Sequence, residues 1–341
     1  MPVTYNSFNS QEKILHNMEK LNNFFNGGKT LIVTELDLTN RCNNRCPQCI
    51  GTKQGDDELT WDEIQRIISD LRALGNQGII LSGGGEPLLH ERFMGTLDLI
   101  RRSGMKVGLN SNGLALTEEI AAAIAKNCEY FRISLDAGTP EVYRHTHGMG
   151  EEAFNKTVSN IRLMADARER VNPALSFVTG FLTNAQTVKD MESFVRISKD
   201  NGAGAAQFRP FQDDTTDIKG PFTGLKAKYE DEKFKVLYSR QKYEEFEAVK
   251  ERGYSKCRGL FFSTVVTANA RMYACIHHRQ KPEYLIADMR AGESLIDMWN
   301  YRKWIVYRNI DAGKCPQLCR NDSFNKLLET LDKDAPHKEF L

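Results

Sequence analysis

The sequence has no long apolar segment and no excess of charge of either sign. No apolar run approaches the roughly 18 residues that a membrane-spanning helix needs. Residues 1–29 also lack the apolar core and small-residue cleavage site of a signal peptide. The 341 residues carry 46 basic and 45 acidic side chains, a formal net charge of +1, whereas nucleic-acid-binding domains usually carry a basic excess. We therefore expect a cytoplasmic globular protein that binds neither membranes nor nucleic acids.

Cysteine is the residue whose distribution is informative. Cytoplasmic proteins rarely keep structural disulfides, so close groups of thiols indicate metal or redox chemistry. Seven of the eight cysteines fall into two groups, one near the N-terminus and one in the last third: Cys42, Cys46 and Cys49, then Cys257, Cys275, Cys315 and Cys319. Cys128 stands apart at the start of a predicted strand, and we interpret it as a core residue.

Strand-like and helix-like patterns alternate between residues 31 and 210. Thr60 and Glu63 form a capping box at the start of one of these helices. Strict alternation predicts a parallel sheet with right-handed crossovers, and the six β–α units of this segment are too few for a full eight-stranded barrel. The pattern favours an α/β fold, either an open sheet or a partial barrel.

The flanking segments have other patterns. Residues 8–25 predict one amphipathic helix, 211–224 a loop and 226–252 a charged helix. Residues 261–267 and 271–276 predict a hairpin. We therefore divide the chain into an N-terminal helix (1–30), an α/β domain (31–210), a linker with a helix (211–255) and a C-terminal domain (256–341).

The first cysteine group is a C-x3-C-x2-C motif in the loop that follows the first predicted strand. Three thiolates can hold three irons of a four-iron cube and leave the fourth iron open. A zinc site usually takes four protein ligands, and the next histidine or cysteine in the chain is His90. Packed thiols without a metal are the third alternative.

Polar and glycine-rich motifs follow the later strands. Parallel α/β folds build their sites at the carboxyl ends of the strands, so we expect these motifs to share one rim with the cysteine loop. They are Gly83-Gly84-Gly85-Glu86-Pro87, Ser111-Asn112-Gly113, Ser134 with Asp136, Asn184, and Arg209-Pro210.

In these motifs the sequence resembles the radical S-adenosylmethionine (SAM) enzymes. The cysteine loop resembles their [4Fe–4S] motif. Gly84-Gly85-Glu86-Pro87 resembles the loop that holds the methionine amino group of SAM, so Gly84 and Gly85 are expected beside that group. Gln48 departs from the family pattern, which has an aromatic residue before the third cysteine. The SAM contacts that the resemblance implies are Gly83, Gly84, Gly85, Glu86, Pro87, Asn112, Ser134, Asp136 and Arg144.

The resemblance covers residues 31–210 and implies a partial (β/α)6 TIM barrel. It also implies the chemistry. SAM chelates the open iron, and one electron from a donor such as flavodoxin or ferredoxin cleaves SAM and yields a 5′-deoxyadenosyl radical. His145 and His147, beside Arg144, are acid–base candidates by residue type, although loop histidines are usually only solvated.

The second cysteine group could bind zinc or a fully ligated iron–sulfur cube, or form packed thiols. The order of these cysteines along the chain resembles the auxiliary-cluster extension of SPASM and twitch radical SAM enzymes. Ala270 stands where a glycine is typical, and Trp299 lies in the stretch before the last two cysteines that also matches the extension. A full SPASM domain has seven cysteines. Four therefore imply a small C-terminal twitch-like extension with one auxiliary [4Fe–4S] cluster, and two clusters in the whole chain.

The resemblance implies a radical SAM oxidoreductase, similar in architecture to 2-deoxy-scyllo-inosamine dehydrogenase, that oxidises a small polar natural product. The alternative is a peptide-modifying enzyme that forms thioether or carbon–carbon crosslinks, although residues 1–30 are short for a leader-binding domain. The cysteine triad argues against a non-catalytic scaffold. Epimerisation is disfavoured because no cysteine remains at the site rim to return hydrogen. Candidate substrate contacts are Gln207, Arg209, His277 and His278.

Overall fold

The computed structural model describes residues 11–49, 51, 55–211, 214, 216–239, 242–243, 252–316 and 319–332. Its strands form one ten-stranded sheet in the order β10-β9-β8-β1-β2-β3-β4-β5-β6-β7. The strands are β1 Val33–Asp37, β2 Gly78–Ser82, β3 Lys106–Ser111, β4 Tyr130–Ser134, β5 Ser176–Thr183, β6 Ala205–Pro210, β7 Lys235–Tyr238, β8 Ser263–Val266, β9 Arg271–Tyr273 and β10 Leu285–Asp288.

Helices alternate with the parallel strands, as the sequence pattern predicts. They are α1 Met18–Asn26, α2 Trp61–Ala73, α3 Phe93–Arg102, α4 Glu118–Asn127, α5 Pro140–His147, α6 Glu151–Val171, α7 Met191–Asp200, α8 Lys219–Tyr229, α9 Leu295–Asn309 and α10 Asp322–Asp332. In the described part of the chain, no helix is long and apolar enough to cross a membrane.

Local sequence determines where these helices begin. Thr60 caps α2 by accepting from the amide of Glu63, and the Glu63 carboxylate accepts from the amide of Thr60, so the predicted capping box is present. The inner face of α2 buries an isoleucine and leucine stripe: Ile64, Ile67, Ile68 and Leu71. Each such side chain contributes about 1.5–3 kcal/mol relative to exposure, which fixes the helix against the sheet.

Strands β1 to β7 run parallel, and this set forms the partial barrel. Side chains alternate between the two faces of each strand. Phe208 of β6 packs against Phe194 of α7, so its neighbours Gln207 and Arg209 point to the inner face of the barrel. The α/β fold with a partial barrel, expected from the sequence, is thus confirmed.

The segment after β6 differs from its sequence prediction. Helix α8 begins at Lys219, inside the predicted loop, and ends at Tyr229, and β7 follows it parallel to β6. Proline is tolerated in a first helical turn, because the amide it lacks has no partner there, so Pro221 did not mark a loop. Of the predicted helix 226–252, residues 240–241 and 244–251 lie outside the described residues.

The C-terminal extension continues the sheet on the other side of β1. Strand β8 pairs parallel with β1, and β9 and β10 complete an antiparallel meander. The predicted hairpin is therefore present, although its first strand begins at Ser263 because residues 258–261 form a 3-10 turn. Ala270 in the turn has φ +58°, a conformation that favours glycine, which explains why a glycine is typical at this position.

The N-terminal helix packs on the extension. Leu21 of α1 joins a second apolar cluster with Leu260, Phe261 and Leu328. The amides of Ile32 and Val33 both donate to the carbonyl of Phe262. The start of the chain and its last third thus form one packed region beside β1.

Candidate active site

The cysteine loop and the predicted rim motifs line one cavity of about 640 Å³. This volume falls in the range of small-molecule sites, roughly 300–1,000 Å³. The predicted residues at its wall are Cys42, Cys46, Cys49, Gly83, Gly85, Glu86, Pro87, Asn112, Ser134, Asp136, Asn184, Arg209 and His277. Gly84 borders an adjoining cavity of about 540 Å³ that shares the three cysteines.

Burial affects the central cysteine of the loop most. Burial, and after it the neighbouring Cys49, raise the pKa of Cys46 to about 12. A free thiolate is therefore disfavoured here, whereas a coordinated metal deprotonates a thiol. Three thiols on one cavity wall fit a four-iron cube with an open iron.

The glycine loop is clamped to the cysteine loop through the backbone. The amide of Gly85 donates to the carbonyl of Thr39 at 2.9 Å, and the amide of Glu86 donates to the carbonyl of Arg41 at 2.8 Å. A Cβ on Gly85 would lie 2.1 Å from the oxygen of Arg41, and one on Gly84 would lie 2.2 Å from Oδ1 of Asn40. A side chain at either position would disturb the packing between the two loops, and the closeness of both glycines to SAM stays a prediction.

Glu86 joins the glycine loop to the end of β3. Its carboxylate accepts from Oγ of Ser111 at 2.7 Å, from the amide of Asn112 at 2.8 Å and from the amide of Leu88 at 3.1 Å. Burial raises the pKa of Glu86, although these hydrogen bonds favour the charged form and lower it. Both carboxylate oxygens are used within the protein, so the observed role of this side chain is to position two loops.

The ends of β3 and β4 also contact the site. Asn112 donates through Nδ2 to Oδ1 of Asn43 at 2.7 Å, and the same nitrogen lies 4.0 Å from Sγ of Cys42. Asp136 has φ +47°, and its Oδ1 accepts from the amide of Leu182 at 2.7 Å. This left-handed turn directs Asp136 into the cavity wall.

Arg144 lies outside this arrangement. It is exposed on α5 and lines neither of the two cavities. On the same helix Tyr143, Thr146 and His147 are buried, so the helical period directs Arg144 toward solvent. The structure therefore does not support the predicted contact between Arg144 and SAM.

His147 is the contact that the sequence pattern did not reveal. It is buried, with Nδ1 3.4 Å from Sγ of Cys46 and 3.1 Å from Nδ2 of Asn44, and Nε2 3.0 Å from the carbonyl of Leu135. Burial lowers the pKa of His147, which favours the neutral ring. Because Nε2 faces a carbonyl oxygen it must carry the proton, and Nδ1 then accepts from Asn44.

The C-terminal end of α5 also supports the cysteine loop. The amide of Arg45 donates to the carbonyl of His147 at 2.9 Å. Gly148 ends the helix with φ +66°, and a Cβ there would lie 2.5 Å from the oxygen of Arg45. The spacing of Tyr143 and His147 at i and i+4 was the available signal for His147, since their rings are in contact, tilted by 34° with 4.4 Å between centroids.

The second cysteine group is close enough for its thiols to affect one another. Burial, then Cys319 and Cys257, raise the pKa of Cys275 to about 12. Nδ2 of Asn325 donates to Sγ of Cys257 at 3.3 Å. His278 does not line the main cavity; its Nε2 lies 3.5 Å from Sγ of Cys315. The four cysteines thus lie near enough to influence one another electrostatically, and their role as ligands of one auxiliary cluster stays a prediction.

No group of three or more His, Cys, Asp or Glu side chains in the described ranges is arranged to hold a single metal ion. That finding concerns mononuclear sites, because the thiolates of a four-iron cube bind separate iron atoms.

A buried ion-pair network lies between the two cysteine groups. Arg279 contacts Asp37 at 2.8 Å and Glu35 at 3.2 Å, and Arg320 also pairs with Glu35. Burial alone would raise the pKa of Glu35, but Arg320 and Arg279 outweigh it and lower that pKa. Burial raises the pKa of Asp37 to about 6 in spite of Arg279.

A partial α/β barrel whose rim gathers three cysteines and a clamped glycine loop defines the class of protein. The family model of the radical SAM superfamily matches residues 36–196. Residues 36–196 are therefore similar to the radical SAM domain, and the cofactors of that family are a [4Fe–4S] cluster and SAM.

Known relatives share parts of the chain. It is 33% identical over 94 residues to the tungsten-containing aldehyde ferredoxin oxidoreductase cofactor-modifying protein of Pyrococcus furiosus, covering 27% of this chain and 26% of the relative. It is 31% identical over 134 residues to the mycofactocin maturase of Mycobacterium ulcerans, covering 38% and 36%. These matches span well under half of the relatives' own lengths.

The fold is similar to that of Streptococcus suis SuiB bound to the precursor peptide SuiA. That structure superposes with a TM-score of 0.65 over 97% of this chain and 80% of the other, at 12% identity. At this identity the similarity describes the fold alone. It extends the shared architecture beyond residues 36–196 into the C-terminal extension.

Proposed function

We propose that this radical SAM enzyme is an oxidoreductase that removes two electrons and two protons from a small polar substrate. The cluster and SAM, when bound, supply a 5′-deoxyadenosyl radical that takes one hydrogen atom. The observation that carries the proposal is the single cavity shared by Cys42, Cys46, Cys49, the glycine loop and the strand ends. A substrate in this cavity would lie next to the cofactor.

The residues of the chain have distinct parts in this proposal. Cys42, Cys46 and Cys49 hold three irons, and the Thr39 and Arg41 carbonyls fix the glycine loop against them. SAM is contacted by the cavity-lining predicted residues, which are Gly83, Gly85, Pro87, Asn112, Ser134 and Asp136. Gly84 and Glu86 hold these contacts in place. His147 positions Cys46 and Asn44 and keeps water from that side of the loop.

The auxiliary site takes up the second electron. Loss of a hydrogen atom leaves a substrate radical, which becomes an oxidised product when it loses one electron and one proton. In the proposal Cys257, Cys275, Cys315 and Cys319 hold a second [4Fe–4S] cluster. Four thiolates would leave that cluster no open iron, so when bound it would supply an electron acceptor that does not bind substrate. The proton would pass to solvent, and an external carrier such as ferredoxin or flavodoxin would take the electron onward.

A peptide-modifying activity is the second candidate. It is favoured by the sequence similarity to a mycofactocin maturase over 134 residues and by the fold similarity to a protein crystallised with its precursor peptide. Both candidates use the same radical chemistry. They differ in the size of the molecule from which hydrogen is removed.

The test measures which molecule donates hydrogen. Cells grown in D₂O provide an extract that is divided into small-molecule and peptide fractions. Anaerobically reconstituted enzyme is incubated with each fraction, SAM and a reductant, and the mass of 5′-deoxyadenosine is measured. Deuterium in 5′-deoxyadenosine from the small-molecule fraction alone supports the proposal, and deuterium from the peptide fraction alone supports the alternative. Absence of 5′-deoxyadenosine under every condition contradicts both.

A further inference from the structure

Three basic side chains line the cavity without an acidic partner. Arg132 of β4, Arg209 of β6 and Lys242 all reach its wall. Over the described ranges none of the three forms an ion pair with a carboxylate. Nε of Arg132 and Nε of Arg209 are buried and have no hydrogen-bond partner there. Buried guanidinium groups usually have such partners, so these two are notable exceptions.

The strand pattern places these cations in the barrel interior. Arg209 is on the inner face of β6 because Phe208 packs outward on α7. Gly180 of β5, between β4 and β6, leaves room for Arg132, since a Cβ at Gly180 would lie 3.2 Å from its Cδ. Gln207 is also buried, and both polar atoms of its amide lack a partner. The interior thus presents cations and a free amide together.

The charges of this group act on one another. Burial, and then Arg132, lower the pKa of Arg209 to about 9. Burial, and then Arg209, lower the pKa of Lys242 to about 8. Glu35 and Asp37 pair with Arg279 and Arg320. Asp136 and Asp214 line the same cavity, but neither forms an ion pair with these three cations over the described ranges. The three cations are therefore close to one another and, in the described ranges, none has a carboxylate within ion-pair distance.

We propose that the substrate is an anion whose carboxylate or phosphate group binds Arg132, Arg209 and Lys242. This inference rests on the proposed function of the same cavity. Guanidinium groups bind both anions through paired N–H donors. SAM alone does not supply enough negative charge to pair with these three cations, because its single carboxylate accompanies a sulfonium cation.

Binding of simple anions tests the proposal without turnover. Calorimetric titration of the reconstituted, SAM-loaded enzyme uses glucose 6-phosphate, glucuronate, inorganic phosphate and uncharged glucose as probes. We expect at least one anion to bind at least tenfold more tightly than glucose. Preference for glucose 6-phosphate or phosphate over glucuronate identifies a phosphate site, and the reverse preference identifies a carboxylate site.

Variants assign the binding to these side chains. Arg209→Gln and Arg132→Gln should each weaken anion binding at least tenfold, whereas Arg101→Gln, at an exposed pair with Glu129, should not change it. Arg209→Lys keeps the charge but loses the paired donors, so its affinity should lie between those of wild type and Arg209→Gln. This conservative variant provides the test if a glutamine variant fails to fold or to retain iron.

Three results would overturn the proposal: no anion binds better than glucose, the Arg209 variants bind anions as wild type does, or SAM affinity falls as much as anion affinity. The last would assign the cations to the SAM carboxylate. Failure of the proposed function is distinguished from failure of anion binding by a different measurement. It would appear as the absence of 5′-deoxyadenosine with the wild-type enzyme.

Discussion

Nη1 of Arg279 lies 2.8 Å from Oδ2 of Asp37, deep between the two cysteine groups. Arg279 follows Cys275 by four residues, and Asp37 ends β1 just before the cysteine loop. The pair therefore joins the auxiliary region to the strand that presents Cys42. Arg320, next to Cys319, makes a second such connection through Glu35.

Removing Arg279 should destabilise the protein in a pH-dependent way. Arg279→Leu leaves the buried Asp37 without its cation, and loss of one partner of a buried pair costs about 3–5 kcal/mol. The groups facing Asp37 are Arg279, Glu35 and the amide of Gly84, and burial already raises the pKa of Asp37 to about 6. Since Asp37 is protonated at low pH, the loss of Tm should be smaller at pH 5 than at pH 8.

The control for this prediction is Asp231→Asn, which removes an exposed partner of Lys199. Its Tm should differ little from that of wild type, because exposed pairs contribute at most about 1 kcal/mol. Equal Tm losses for Arg279→Leu at pH 5 and pH 8 would contradict the linkage to Asp37.

The cysteine triad should account for about half of the iron. Two cubes hold about eight irons, so replacing Cys42, Cys46 and Cys49 with alanine should leave about four and abolish SAM cleavage. Cys128→Ala is the matched control, because Cys128 is buried in the apolar core away from the cavity and should keep all the iron. Iron assay and chromatography of 5′-deoxyadenosine provide the measurements. A triple variant that still cleaves SAM disproves the assignment.

Gly85→Val should lower iron content and SAM binding together. A Cβ at Gly85 meets the backbone of Arg41 in the cysteine loop, so the substitution should displace the loop that carries the iron ligands. Gly224→Ala, in α8 with open space around its Cβ, should keep wild-type iron and SAM affinity. Full iron in Gly85→Val with weakened SAM binding would contradict this expectation and indicate a direct contact between Gly85 and SAM.

His147→Leu should make the first cluster easier to remove. The substitution takes away the buried partner of Asn44 and of the Leu135 carbonyl, a loss of about 1–3 kcal/mol for each group left unpaired. Iron release to a chelator should therefore be faster than in wild type. His145→Leu, at an exposed position on the same helix, is the control and should release iron at the wild-type rate. Identical rates in both variants would leave His147 without a role at the cluster.

Cys275→Ala should separate SAM cleavage from substrate oxidation. The first cluster is retained, so 5′-deoxyadenosine is still formed, while the second electron has no acceptor and oxidised product is absent. Product analysis with the substrate found by the deuterium experiment measures this. Full product from a protein with about four irons would reduce the auxiliary site to a structural element.

Regular local patterns predicted most of the barrel. Periodicity, the Thr60 cap and the rim motifs depend on neighbouring residues, and each was identifiable before the fold was known. The pairing of β8 with β1 was not identifiable, because it joins residues that are distant in sequence. Arg209 was identifiable by its place at a strand end, whereas Arg132 was not, and the unpaired Nε of each depends on the barrel interior. The burial of His147 beside Cys46 was not identifiable because the register of α5 was not used.

The position of β8 beside β1 also has a consequence for synthesis of the chain. Thr30 donates to the carbonyl of Phe261, 231 residues later, so β1 keeps an open edge until the last third has left the ribosome. Open strand edges pair readily with other chains, and contacts of such long range form slowly. A nascent chain stopped near residue 255 should therefore need chaperone protection that the full-length chain does not. If iron bound to the first cysteine group before that point, the barrel would still have the edge of β1 uncovered.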